Sequence, residues 1–243
     1  MGLFTGGILR HANDPRHFWR SLFGAIGNSS FNPGGQPGLV AHYDARVASS
    51  ITIVTGVSQW NDLSGNGNHL KQATGAKQPT QSGGGLRFTR TSSQMMQTSA
   101  FTLNQPETLY IVGQQVAWTS GACLCDGLTL ISMVLQEITA SPQFNPYCNG
   151  SGTNNSGWAV GTNAVITAVY LGSSSLSRVN RIAAVSSNIG VLNAGGFTLG
   201  SLQSGGSPSD LLVFEVLIFN VAHSTLQQNQ IILALGNKWG IAV

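Results

Sequence analysis

The stretch Gln59–Leu70, QWNDLSGNGNHL, gathers Trp60, Asp62, Asn66, Asn68 and His69 around Gly65 and Gly67. Calcium takes oxygens from carboxylates, amides and backbone carbonyls in a flexible loop. Asp62 and Asn66 offer such oxygens, and Asp44 joins them if the strand ending there lies alongside. Calcium at Asp62, Asn66 and Asp44 is the one cofactor the pattern admits, and none is required. One carboxylate in the loop is thin for a tight site, and the EF-hand spacing is absent. The same residues also read as an Asx-rich turn bonded to its own backbone, with Trp60 in the core, or as a sugar contact. His69 reads as structural.

The chain holds eight acidic residues, none in an acid-x-acid or acid-x-x-x-acid pattern. Glycosidic hydrolysis calls for two carboxylates roughly 5–9.5 Å apart. The expectation is therefore no catalytic residues and no enzyme. Glu215, in LLVFEVLIF, is the lone strand carboxylate. Strict alternation puts it on a face with Val213 and Leu217, opposite Phe214 and Val216, where it needs a hydrogen-bond partner, an ion pair or water. Both a structural role and a ligand or metal role are open to it. Trp118, Tyr147 and Trp158 sit among Gly, Ser and Asn and are candidates for stacking on sugar rings. The polar run 145–158 is the best place for a recognition surface. Cys123 and Cys125 would share a strand face; the odd count of three argues against a full disulfide framework, with one bridge to Cys148 left open.

Only 8% of the residues are charged, against about 25% in typical soluble domains. Little charge repulsion opposes self-association, so a place in a larger assembly and an amide-rich extracellular surface are both consistent. The net charge of +3 comes from 11 basic and 8 acidic residues without a basic run, which excludes a nucleic-acid tract. No apolar run reaches the ~18 residues of a membrane span. The N-terminal stretch fits neither a secretory signal nor, with Gly6 where Ser or Thr is wanted, a myristoylation signal.

Two parts separate by composition. Residues 1–36 are read as an anchoring arm and linker. Within them Phe18, Trp19, Leu22, Phe23 and Ile26 recur at near-helical spacing, with Arg16 and Arg20 between. So short a segment cannot bury its own aromatics, and Phe18, Trp19, Leu22, Phe23, Arg16 and Arg20 are the expected contacts with a partner protein. Residues 37–243 alternate short β-rich runs with Gly/Ser/Asn turns: 39–44, 51–54, 86–89, 107–116, 128–135, 164–171, 179–187, 197–201 and 211–220. That pattern predicts an all-β antiparallel jelly-roll sandwich. One helix closes it: Ser224 and Gln227 form a capping box, and Ile231, Ile232, Leu235 and Trp239 make its apolar stripe.

The segment 38–80, with its Trp-Asn-Asp, Ser-Gly-Asn-Gly-Asn and Gln-Pro, resembles the opening of LamG-like, concanavalin A-like jelly-roll domains. The segment 197–241, a Glu-bearing strand, a short helix and a Lys-Trp-Gly end, is similar to their close. Such domains occur in carbohydrate-binding proteins and in bacteriophage virion proteins. The resemblance, the low charge and the arm together suggest a non-enzymatic virion component. It would be a capsid decoration, head-fibre or tail-associated protein, docked on other virion proteins in many copies and presenting a lectin-like sandwich to cell-surface glycan. The alternative is a carbohydrate-binding module of a bacterial surface or secreted protein.

Overall fold

The computed structural model describes residues 31–150 and 152–243. The arm residues Arg16, Phe18, Trp19, Arg20, Leu22 and Phe23 lie outside them. Asn32–Val243 forms one compact unit. Its strands are β1 (Leu39–Asp44), β2 (Ile51–Ile53), β3 (Val57–Trp60), β4 (Leu70–Lys71), β5 (Thr80–Ser82), β6 (Gly85–Phe88), β7 (Met96–Gln97) and β8 (Glu107–Ala117). They continue as β9 (Cys123–Asp126), β10 (Val134–Glu137), β11 (Phe144–Tyr147), β12 (Asn163–Tyr170), β13 (Ser175–Val179), β14 (Val185–Ser187), β15 (Thr198–Leu199) and β16 (Asp210–Phe219). A C-terminal helix spans Thr225–Trp239.

Two antiparallel sheets form the sandwich. The first runs β14-β13-β12-β8-β16-β6-β5, with β1 also paired to β16; the second runs β11-β10-β9-β15-β7-β4-β3-β2. Alternate residues of the long strands face inward. Tyr43, Leu109, Ile111, Ile166, Val216 and Ile218 from the first sheet meet Trp60, Leu70, Met96, Leu135 and Phe144 from the second, all buried in one core. Each large side chain so buried contributes about 1.5–3 kcal/mol.

The other face of the first sheet is closed by the C-terminal helix. Ser224 caps it as expected, accepting from the Gln227 backbone N–H while the Gln227 side chain accepts from the Ser224 N–H. Ile231, Ile232 and Leu235 are buried, and Trp239 lies over Phe214 with ring centroids 5.3 Å apart.

Two of the register shifts change which face a residue takes from the one expected. In β16 the register slips between Val213 and Glu215. Val213 and Val216 therefore both enter the core while Glu215 turns outward, correcting the alternation expected there. In β9 Cys125 lies opposite Leu135 but Cys123 opposite Gln136. The two cysteines thus do not share a face, and all three cysteines are free and buried. Residues 128–133 were expected to extend a strand but form a loop. The buried Asp126 carboxylate accepts from the N–H groups of Gly127, Ile131 and Ser132, which folds the chain back on itself. Ile131 is held at φ 62°, a conformation costly for a β-branched residue.

Glu107 opens β8 facing inward. It is fully buried, and among the described residues the Ala194 backbone amide approaches its carboxylate but no donor meets hydrogen-bond geometry. Burial pushes its pKa up to about 8, the Ala194 backbone amide opposing only in part. An unfolded carboxylate ionises near ~4.3. The folded state therefore holds a proton that the unfolded chain releases. This contribution to stability is full below the unfolded value and is lost as pH rises through about 8. Glu107→Gln is expected to remove this slope, leaving the variant more stable than the parent at alkaline pH in urea melts. Parallel pH profiles of the two proteins would contradict the assignment.

Candidate functional site

The loop after β3 is a cap for the free edge of β1. Asp62 Oδ1 accepts the His42 backbone N–H at 2.9 Å, and the Leu63 N–H donates to the His42 carbonyl at 2.7 Å. The amides of Asn66 and Asn68 and the Ser64 hydroxyl donate to the Val40 carbonyl. Asp62 also accepts from Ser64 N–H and Oγ–H and from Asn68 N–H. Its own N–H donates to His69 Nδ1, which fixes His69 as structural. Gly65 and Gly67 take φ +89° and +77°, which lets the chain turn tightly enough to aim these groups at β1. An unpaired strand edge invites association, and this loop pairs it.

With every Asp62 oxygen filled by donors, a cation finds no free carboxylate there. Asp44 faces elsewhere, toward Lys238, and Asn66 points its NH2 group at carbonyls. The structure does not bring Asp62, Asn66 and Asp44 together as calcium ligands.

A different cluster does assemble. Asp44 and Glu215 are cross-strand partners in the β1–β16 register. With His42 they place three ligand-type atoms within 4.8 Å of one another. The position a cation would take is filled from the helix: Lys238 Nζ lies 2.6 Å from Asp44 Oδ2 and 2.7 Å from Glu215 Oε1. His42 Nε2 lies 2.8 Å from the same Glu215 oxygen, and Trp239 Nε1–H donates to the other at 2.6 Å. Burial alone would raise the pKa of Glu215. The hydrogen bonds from His42, Lys238 and Trp239 and the Lys238 charge outweigh it and hold Glu215 below the usual carboxylate range. Such a group stabilises the fold above its unfolded pKa, and that contribution is lost as pH falls through the folded value.

The proposed sugar-stacking residues divide. Trp158 is 0% exposed, packs edge-to-face on Phe144 at 6.0 Å and donates Nε1–H to the Thr162 carbonyl. It is a core residue, so its assignment as a glycan contact is corrected. Trp118 is half-buried, with Nε1–H committed to the Gln143 carbonyl. Tyr147 is half-buried on the outward face of the second sheet. Strand register sets a polar row across that face. Thr52, Gln59, Lys71, Gln97, Thr198 and Asp126 lie side by side. Asn145, Gln136 and Cys123 form a second, shorter row, with Tyr147 beside it. No sequence signal marks these rows, because their members come from strands far apart in the chain.

No family model and no curated protein matches the chain. Its fold is shared with solved structures. Trypanosoma rangeli sialidase aligns over 94% of this chain and 39% of its own length, at 12% identity and TM-score 0.60. The same sialidase in complex with sialic acid gives 14% identity and TM-score 0.60, over 94% of this chain and 40% of the other. A GH54 α-L-arabinofuranosidase soaked with a cyclic sulfate inhibitor aligns over 74% of this chain and 50% of its own, at 14% identity and TM-score 0.55. The chain thus spans about two-fifths to half of these proteins, and the likeness is one of fold.

Their glycosidase identity overturns the expectation that this chain is not an enzyme. The sequence argument sought two acids near one another on one strand. The sheet instead sets Asp44 opposite Glu215 from strands at opposite ends of the chain, so a linear pattern could not exclude a carboxylate pair.

Trp239→Phe keeps a ring over Phe214 and removes one donor to a buried carboxylate. A loss of about 1–2 kcal/mol is expected in chemical denaturation at neutral pH. An unchanged midpoint would show that the indole N–H contributes nothing to the clamp.

Proposed function

We propose that the chain is a carbohydrate-directed sandwich displayed on a bacteriophage virion and attached through residues 1–36. The observation that carries the carbohydrate reading is the outward face of the second sheet. There Gln136 presents its amide on the strand next to that of the Tyr147 ring, and Gln59 and Lys71 extend the polar face toward the far edge of the sheet. Planar amides bond sugar hydroxyls in both directions, and an aromatic ring offers an apolar face to a pyranose. A fold shared with a sialidase solved in complex with sialic acid supports the same reading. The virion reading is supported by the 8% charge content, by the LamG-like segments 38–80 and 197–241, and by the aromatic stripe of the arm. In that setting the protein is a multi-copy decoration, head-fibre or tail-associated component, with Phe18, Trp19, Leu22 and Phe23 as the docking side chains.

A glycan array probed with the full-length protein tests the site, with released sugar measured alongside. Retention of a defined glycan subset is expected, weakened at least about tenfold by Tyr147→Ala or Gln136→Ala, the cost of one lost contact of ~1.4 kcal/mol or more. Retention of no glycan, or binding indifferent to both substitutions, contradicts the site.

A further inference from the structure

Arg178 sits between the first sheet and the C-terminal helix at 5% exposure. Its Nε–H and one NH2 group donate to the carbonyls of Ile182 and Arg181. The other NH2 group makes a long 3.4 Å contact to Gln228 Oε1. Three of the five guanidinium N–H groups are thus engaged, all by neutral acceptors. No ion pair among the described residues includes Arg178; Asp44 and Glu215 face Lys238, Asp210 faces Arg87, and Glu107 faces the core. A buried charge is ordinarily paired, because low-dielectric surroundings penalise it heavily.

The neighbour across the strand pair is Thr167, in register with Arg178 on one side and Tyr110 on the other. Thr167 is fully buried and its Oγ1 has no hydrogen-bond partner among the described residues. A hydroxyl without a partner and a guanidinium without an ion pair therefore belong to directly paired residues of β12 and β13. Gln228 stands in the first turns after the Ser224 cap, so the positive end of the helix dipole adds to the same region. The guanidinium only donates, the Thr167 hydroxyl has a proton to donate, and the helix start is a positive pole, so an anion complements all three.

We propose that the outer face of the first sheet, beneath the start of the C-terminal helix, binds a small inorganic anion of the chloride class between the Arg178 guanidinium and the Thr167 hydroxyl. The burial of both side chains favours a small ion over a bulky one. The ion would neutralise Arg178, satisfy Thr167 and brace β12 and β13 against the helix.

Two measurements on the full chain test this. Thermal melts at constant ionic strength compare sodium chloride with sodium gluconate, whose anion is too large to enter. A saturable rise of roughly 2–4 °C with chloride is expected. It should vanish in Thr167→Val, which keeps the side-chain volume, and in Arg178→Met. Crystals grown with bromide should show an anomalous peak between the two side chains. Equal melting in the two salts, a chloride response retained in Thr167→Val, or a peak-free site would each overturn the proposal. A bromide peak lost in Thr167→Val supports it even if Arg178→Met fails to fold.

Discussion

A lysine ammonium set between two carboxylates holds the outer layer of this protein in place. Asp44 and Glu215 face one another across β1 and β16 and would repel if left alone. Lys238, one residue from the end of the C-terminal helix, reaches both. The contact fixes where the helix ends, and the capping box at Ser224 fixes where it begins. Between those two points the apolar stripe is laid along the sheet. The same contact fastens β1, which among the described residues pairs with β16 alone and depends on the Asp62 loop to close its other edge. The first strand, the last strand and the last helix are therefore joined at one buried charge network. A buried pair of this kind is a weak source of net stability but is costly to break once built.

The fold was legible in the sequence because it rests on local signals. Alternation marked β1, β8, β12 and β16, and the Ser224–Gln227 spacing with Ile231, Ile232 and Leu235 marked the helix. What the sequence did not show arises from single-residue events and from long-range register. A bulge beside Phe214 turned Glu215 outward, and another at Leu124 separated the faces of Cys123 and Cys125. Asp126 gathered three backbone N–H groups and made a loop of a stretch whose composition reads as strand. Bulges and side-chain caps of this type leave little trace in composition, since they depend on which neighbouring strand happens to lie alongside.

The Asp62 loop carries the same lesson for function. Its asparagines, glycines and aspartate look like metal-loop chemistry, yet each polar group serves the exposed edge of β1. Conversely, Lys71 and Gln136 carry no motif and reach the outward face of the second sheet only through strand pairing, Gln136 next to the strand of Tyr147 and Lys71 toward the far edge. Arg178 and Thr167 likewise meet only through the pairing of β12 with β13. The sandwich thus offers an edge closed by a loop, a face closed by a helix, and a second face that carries polar rows, buried at Thr198 and Asp126 and more open at Lys71 and Gln136.

Lys238 and Glu215 act as one unit fastening helix to sheet. A double-mutant cycle with Lys238→Met, Glu215→Gln and the combined variant, read by urea denaturation at neutral pH, tests it directly. Coupling of about 2 kcal/mol or more is predicted, with the double variant far less destabilised than the sum of the singles. Additive losses would contradict the account and leave the helix held by its apolar face alone.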